Sequence, residues 1–204
     1  MPRVLLFDFD GVIVDSIDVC MKRVIDVCKE QGYSKIATKK DFLSLYDNNF
    51  YENLVKRGVP KEEVPNLIKE FHIELREQRR IKLFSRMKEV LKELSTHNKI
   101  FIVTSNFTKP VKEFLKINCI DCFEEVLGAD KETSKVKKMN YVKSKFKGYE
   151  LFYIGDTKGD IIEGKKAGVK TIAVSWGWHS EEKLKKAKPD IMIHSPNELI
   201  NLFK

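Results

Sequence analysis

The sequence predicts an α/β fold: a central parallel sheet flanked by helices and interrupted early by an inserted all-helical segment. Three observations carry this. Apolar runs without polar alternation, such as Val4 to Phe7 and Ile100 to Val103, read as strands buried on both faces, as parallel sheets require. From residue 84 onward such runs alternate with stretches of 3.6-residue apolar periodicity. Residues 16 to 82, between the first two strands, carry only helical patterning and are too long for a simple crossover.

In chain order, residues 3–9 form the first strand. Ser16 stands where it can cap the next helix, on which Ile17, Cys20, Met21, Val24 and Cys28 share a face that ends near Gly32. Val64, Leu67, Ile68, Phe71 and Leu75 make another helical stripe, set off by Gly58-Val59-Pro60. Met87, Val90, Leu91 and Leu94 make a third, which runs into the strand Lys99 to Val103. Pro110 suits the first turn of a helix continued by Val111, Phe114 and Leu115. Phe123 to Leu127 is a weaker strand, 136–146 a helix, and Leu151 to Ile154 a strand leading into Gly155-Asp156. Residues 160–167 are helical up to Gly168, Lys170 to Ser175 and Asp190 to Ile193 are strands, and Pro196 to Phe203 is the last helix. The chain thus divides into one domain of residues 1–15 and 83–204 and a second of residues 16–82.

Composition narrows the function classes. The 204 residues suffice for one sizeable core with a small accessory domain, and 42% hydrophobic with 33% charged residues is the balance of a soluble globular protein. Asp8 and Asp10 interrupt the only apolar run near the N-terminus, and no apolar segment approaches the roughly 20 residues of a membrane helix, so a cytoplasmic protein is expected. Cys20, Cys28, Cys119 and Cys122 are too few for a disulfide framework. Cys119 and Cys122 have the spacing of half a zinc site with no second half. The net charge of +8 owes much to residues 130–147, where seven lysines face two acids. A solvated helix face is a simpler reading than a nucleic-acid surface, since no helix-turn-helix, zinc-finger or RNA-binding signature accompanies it.

The polar chemistry gathers at strand ends, where open parallel sheets bind ligands. The first strand ends in Asp8 and Asp10, the second in Thr104-Ser105-Asn106, and a later one in Gly155-Asp156-Thr157-Lys158-Gly159-Asp160. Four acids converging on one edge repel one another unless a cation sits among them. Oxygen-only ligands point to a hard ion, Mg²⁺ first. Gly11 lets the chain turn sharply after Asp10. His72 and His97 read as surface residues, and Trp176 and Trp178 as packing at the sheet's end, with a place on the site rim as the alternative.

DFDGVIVDS, IVTSN, a downstream lysine and GDTKGD, in that order, resemble the four motifs of the haloacid dehalogenase superfamily. The resemblance spans essentially the whole chain and is closest to the phosphoglycolate-phosphatase-like branch with a small helical cap. The tail, AGVKTIAVSWGWHS followed by AKPDIMIHSPNEL, is similar to the family's usual ending. It implies a Rossmann-like three-layer core with residues 16–82 as a cap over the site. Asp8 matches the family nucleophile, which forms an aspartyl-phosphate, and Asp10 the acid/base that contacts Mg²⁺ only through its backbone carbonyl. Thr104 matches the phosphate-binding hydroxyl, helped by backbone N–H groups of Ser105 and Asn106. Asp156 matches a direct metal ligand and Asp160 an outer or water-mediated one.

The lysine selected by counting back from Tyr141 is Lys135, with Lys131 and Lys138 left open because the family's usual Pro-x-Pro is absent. Ser85-Arg86 likewise replaces a frequent Pro-Gly. In the cap, Asn48, Asn49, Lys56, Arg57 and Arg76 are candidates for reading an anionic substrate, against the blander role of solvated surface. The expectation is a Mg²⁺-dependent phosphatase for a small phosphorylated metabolite, monomeric or homodimeric, with no nucleic-acid or membrane partner. Its rivals are a phosphomutase with the same core and a non-catalytic basic binding protein on the same fold.

Overall fold

The computed structural model describes residues 1–71 and 80–204, so His72, Leu75 and Arg76 lie outside the described residues. In chain order its elements begin with β1 (Arg3–Phe7) and β2 (Val14–Asp15). The helices α1 (Ile17–Glu30), α2 (Lys39–Ser44), α3 (Phe50–Lys56) and α4 (Val64–Glu70) follow. Next come β3 (Lys82–Leu83), α5 (Met87–Ser95), β4 (Lys99–Val103), α6 (Thr108–Ile117) and β5 (Glu125–Leu127). The chain then forms α7 (Lys135–Lys145), β6 (Glu150–Gly155), α8 (Lys158–Ala167) and β7 (Lys170–Val174). It ends with α9 (Glu181–Ala187), β8 (Ile191–Ile193) and α10 (Asn197–Phe203).

Six strands make a parallel sheet in the order β5-β4-β1-β6-β7-β8. The strand alternation sorts the core into two layers. Leu5, Phe7, Ile100, Ile102, Phe152 and Ile154 pack on one face with α5, α6 and α10. Val4, Leu6, Phe101, Val103 and Tyr153 pack on the other against Met139 and Val142 of α7 and Ala167 at the end of α8. Each fully buried side chain of this size stabilises the fold by roughly 1.5–3 kcal/mol relative to exposure. The chain proceeds outward from β1 through β4 to β5, then returns by α7 to β6 on the other side of β1. That reversal opens a crevice at the carboxyl end of β1, and α7 begins beside it.

The α/β class and the parallel sheet are as the sequence predicts. Two local readings change, and two elements have no reading in the sequence. The first strand stops at Phe7 rather than residue 9, because the carboxylate of Asp8 accepts the N–H of Phe9 at 2.8 Å and takes it out of the ladder. Ser16 makes no side-chain cap on α1; its hydroxyl donates to Asp10 Oδ1 at 2.7 Å. Helix α9 shows no apolar stripe in the sequence because Leu184 is its single buried residue. The short antiparallel ribbon of β2 and β3 is likewise too brief to show alternation.

Helices α1 to α4 enclose an apolar cluster of their own, including Val27, Phe42, Leu45, Leu54 and Leu67, into which Trp178 reaches from the loop after β7. The stretch between α2 and α3 is fixed to α8. His179 accepts the N–H of Lys158 at Nδ1 (2.9 Å), so its Nε2 carries the proton donated to the carbonyl of Leu43 (2.9 Å). Asn49 donates to Glu163 Oε1 at 3.0 Å. A Cβ on Gly159 would come within 2.6 Å of the Asn48 carbonyl oxygen, which is why the backbone approach there needs glycine.

Within the insertion, Thr38 and Asp41 form a reciprocal cap on α2, and Asp41 also pairs with Arg57 at 2.9 Å. The hydrogen bonds from Thr38 and Arg57 hold the Asp41 carboxyl down to about 2. Asp41→Ala should therefore destabilise the chain by about 1 kcal/mol in urea unfolding at pH 7. The carboxyl is depressed on folding, so this difference is complete above the ordinary value of 3.8 and should vanish as pH falls toward 2. A difference that persisted unchanged at pH 2 would exclude the charge of Asp41 as its source.

Candidate active site

Three adjacent strands deliver the polar groups. Asp8 follows β1, Thr104 follows β4 on one side, and Asp156 follows β6 on the other. Asp8 is buried; its Oδ2 accepts from Lys135 Nζ at 2.6 Å. The same ammonium donates to Asp160 Oδ1 at 2.7 Å, so Lys135, the first residue of α7, bridges two carboxylates. Asp160 is fully engaged: Oδ1 also accepts from Tyr153 Oη (2.9 Å), and Oδ2 accepts from the N–H (3.0 Å) and hydroxyl (2.6 Å) of Thr157. These last bonds form the reciprocal cap that starts α8, so one residue organises both a helix and the site.

Asp10 is held differently. Its Oδ1 accepts from Ser16 and, at 3.7 Å, from Cys20 Sγ; its Oδ2 accepts from Asn106 Nδ2 at 2.8 Å. The backbone N–H of Asn106 donates to Thr104 Oγ1 at 3.1 Å, which curls the loop after β4 toward the site. Asp156 Oδ2 accepts from the N–H of Trp178 at 2.7 Å, whereas its Oδ1 is buried without a partner.

Burial dominates the electrostatics. It pushes the Asp8 carboxyl up to about 7, although Lys135 pulls it down. Burial, with Asp160 and Asp8 adding repulsion, raises Asp156 well above the usual carboxylate range, and burial raises Asp10. Asp160 moves the other way: burial opposes its charge, but Lys135 together with the hydrogen bonds from Thr157 and Tyr153 outweighs it. Burial also opposes the charge of Lys135, yet Asp160 and Asp8 hold it firmly protonated.

Oxygen atoms of Asp8, Asp156 and Asp160 lie within 4.8 Å of one another. A buried carboxylate oxygen with no partner, facing other carboxylates, costs free energy that a cation would remove. The donor set is all oxygen, so the residues present fit a hard divalent cation.

The structure brings together Asp8, Asp10, Thr104, Ser105, Asn106, Lys135 and Asp156 around one cavity. Of the three lysines left open, Lys135 reaches Asp8. Lys131 pairs with Glu125 at the surface, and Lys138 is buried with its ammonium on the Thr104 carbonyl at 2.6 Å. Burial, then the charge of Lys135, lowers Lys138 to about 7. The lysine-rich segment is thus a solvated face with two lysines turned inward. Its spacing is the available signal, since residues 135 and 138 share a helix face.

The described basic and amide residues of the insertion do not line the cavity. Arg57 is spent on Asp41 and the Lys35 carbonyl, Asn49 on the cap of α3 and on Glu163, and Lys56 is exposed. His97 is exposed in the turn after α5, and Trp176 packs on Phe84. The sequence reading missed the Asn106 side chain, Ser16 and Tyr153, whereas Trp178 lines the cavity, the alternative the sequence left open for it. Only Tyr153 had a signal, a hydroxyl on an otherwise apolar strand two residues before Gly155.

Gly11 has φ +76°, and a Cβ there would meet Asp156 Oδ2 at 2.0 Å. Gly11→Ala should lower the unfolding free energy by more than about 2 kcal/mol, because strain and collision add. Gly148→Ala, at φ +84° in open space, isolates the strain alone and should cost less. Equal losses in chemical unfolding of the two variants would show that the contact with Asp156 is immaterial.

A family model for haloacid dehalogenase-like hydrolases matches residues 5–174. The protein named pyrophosphatase PpaX in Bacillus mycoides is 26% identical, over 98% of this chain and 95% of its own. The PpaX relative from Caldanaerobacter subterraneus is 30% identical, over 98% of this chain and 94% of its own. Among solved structures, one described as a predicted phosphatase from Clostridium acetobutylicum superposes with a TM-score of 0.84 at 20% identity, covering 99% of this chain and 98% of that one. A haloacid dehalogenase-like family hydrolase from Streptococcus pneumoniae gives 0.76 at 20% identity, covering 100% and 99%. At such identities these two likenesses bear on the fold.

Proposed function

The chain belongs to the haloacid dehalogenase-like hydrolase family, and on that premise we propose that it is a Mg²⁺-dependent phosphatase acting on a small phosphorylated metabolite through an aspartyl-phosphate. The observation that carries this reading is the buried Lys135 ammonium bridging Asp8 and Asp160 beside the unpartnered oxygen of Asp156.

In the proposed reaction a carboxylate oxygen of Asp8 attacks phosphorus as the bond to the ester oxygen breaks. Asp10 gives its proton to the leaving alkoxide; its elevated affinity for that proton suits the donor role. Water then attacks phosphorus of the aspartyl-phosphate, Asp10 takes the proton, and phosphate leaves as the Asp8 carboxylate re-forms. Ser16 and Asn106 fix the Asp10 carboxylate, and Thr104 with the N–H group of Ser105 orients the phosphoryl oxygens, the Asn106 N–H holding the Thr104 hydroxyl. Lys135 offsets charge on Asp8 and the phosphoryl group. Asp8, Asp156 and the backbone carbonyl of Asp10 would hold Mg²⁺, with Asp160 acting through Lys135 or a water. When bound, the ion neutralises charge on the transferring group.

The insertion, residues 16–82, serves as a cap that excludes water and shapes the leaving-group side. No described helix is long and apolar enough to cross a membrane, and a cytoplasmic enzyme is the address that goes with this reading. Pyrophosphate, from the name of the PpaX relatives, belongs on the substrate panel alongside phosphoglycolate.

The test is hydrolysis of an aryl phosphate with and without Mg²⁺. Asp8→Asn should lower kcat by roughly 10³-fold or more, and activity surviving that change would remove Asp8 as nucleophile. Mg²⁺ should raise the Tm of the wild type and leave that of Asp156→Asn unmoved, since binding the folded state alone stabilises it. Lys135→Met should cost about 3–5 kcal/mol in unfolding free energy, because it strands two buried carboxylates.

A further inference from the structure

The wall opposite Asp8 has a composition that the reaction itself does not demand. From the insertion, Cys20, Val24, Tyr46, Phe50, Ile68 and Phe71 line the cavity, and Phe107 and Trp178 continue it from the sheet side. Tyr46 stacks on Phe50 at 5.0 Å and meets Trp178 edge-on at 4.8 Å, so the wall is aromatic and closely packed. Among the described lining residues Lys135 is the one cation, and both its partners are carboxylates of the site. Asp10 and Asp156 add two further acids. The polar groups that the wall itself offers are uncharged, the hydroxyl of Tyr46 and the thiol of Cys20, and the indole N–H of Trp178 is buried without a partner. Lys56, Lys61 and Lys69 border a different space, an apolar groove that shares Ile68 and Phe107 with the cavity.

This lining discriminates between leaving groups. A second anionic group near the phosphorus would lose its water against hydrocarbon, find no described cation besides Lys135, which Asp8 and Asp160 already hold, and face the Asp10 carboxylate. An uncharged apolar body would bury area against the rings.

On the phosphatase reading above, we propose that this chain's substrates are phosphate monoesters whose leaving group is uncharged and apolar or aromatic next to the ester oxygen, selected by Tyr46, Phe50, Ile68 and Phe71. Phosphoglycolate and pyrophosphate, which carry a second anion beside the reacting phosphorus, are then poor substrates.

Benzyl phosphate and phosphoglycolate both release a primary alkoxide, so comparing them isolates recognition from leaving-group chemistry. With the full chain and Mg²⁺, kcat/KM for benzyl phosphate should exceed those for phosphoglycolate and pyrophosphate by at least about tenfold. Equal or better turnover of either anionic compound would overturn the inference and leave the phosphatase reading standing. If none of the three is hydrolysed, the phosphatase reading itself falls. Equilibrium binding to Asp8→Asn protein still decides the inference in that case: benzyl phosphate should bind several-fold tighter than phosphoglycolate, and the reverse order overturns it. Ile68 is half-buried, so Ile68→Lys should fold. It should narrow the benzyl phosphate to phosphoglycolate ratio about fivefold by adding a cation to the described wall. A folded Ile68→Lys protein with an unchanged ratio would show that this wall does not select.

Discussion

A single buried ammonium holds the site together. Lys135 lies between Asp8 and Asp160, and without it two carboxylates would be packed into low dielectric with nothing to balance them. Its position follows from topology. The chain reverses direction in the sheet through α7, so the first residue of that helix meets the end of β1. The other contacts support the same arrangement. Tyr153 and Thr157 orient Asp160, and Lys138, one turn along α7, secures the Thr104 carbonyl at the end of the neighbouring strand. One lysine nonetheless leaves an acid excess, and the unpartnered oxygen of Asp156 marks where it is concentrated.

The described residues of the insertion complete the site by position rather than by charge. Its segment between α2 and α3 is fixed to α8 through His179, the bare backbone of Gly159 and the Asn49 to Glu163 bond. This places Tyr46 and Phe50 over the strand ends, where they meet Trp178. The residues with obvious chemistry in the insertion, Arg57 and Asn49, are consumed in holding it together. The residues that face the cavity are those whose apolar side chains suggested only packing.

How much was legible in the sequence follows from which forces act locally. The sheet could be read because its strands are buried on both faces and so appear as unbroken apolar runs. Asp8, Thr104 and Asp156 could be read because each follows its strand directly. Counting back from Tyr141 selects Lys135 but leaves Lys138 open, since both lie on the inward face of α7 and differ only in which strand end they reach. Ser16 had the composition of a helix cap, yet a buried carboxylate competes for its hydroxyl more strongly than an N–H that water can satisfy. The role of the Asn106 side chain escaped, because it crosses to another strand's loop, a juxtaposition no local pattern encodes. Helix α9 escaped because a single buried leucine leaves no period to detect.

The ribbon of β2 and β3 carries a further consequence. Val14 pairs with Leu83 and Asp15 with Lys82, so the insertion leaves and rejoins the core at one point. For the core, the whole helical unit is then equivalent to a hairpin turn. Once the ribbon closes, β1 and β4 find their register across a short effective loop, and closure entropy grows only slowly with the length of chain beyond it. Chain length and helix arrangement in the insertion can therefore vary at little cost to core assembly. The selective wall can change through evolution while the strand ends that carry the chemistry stay as they are.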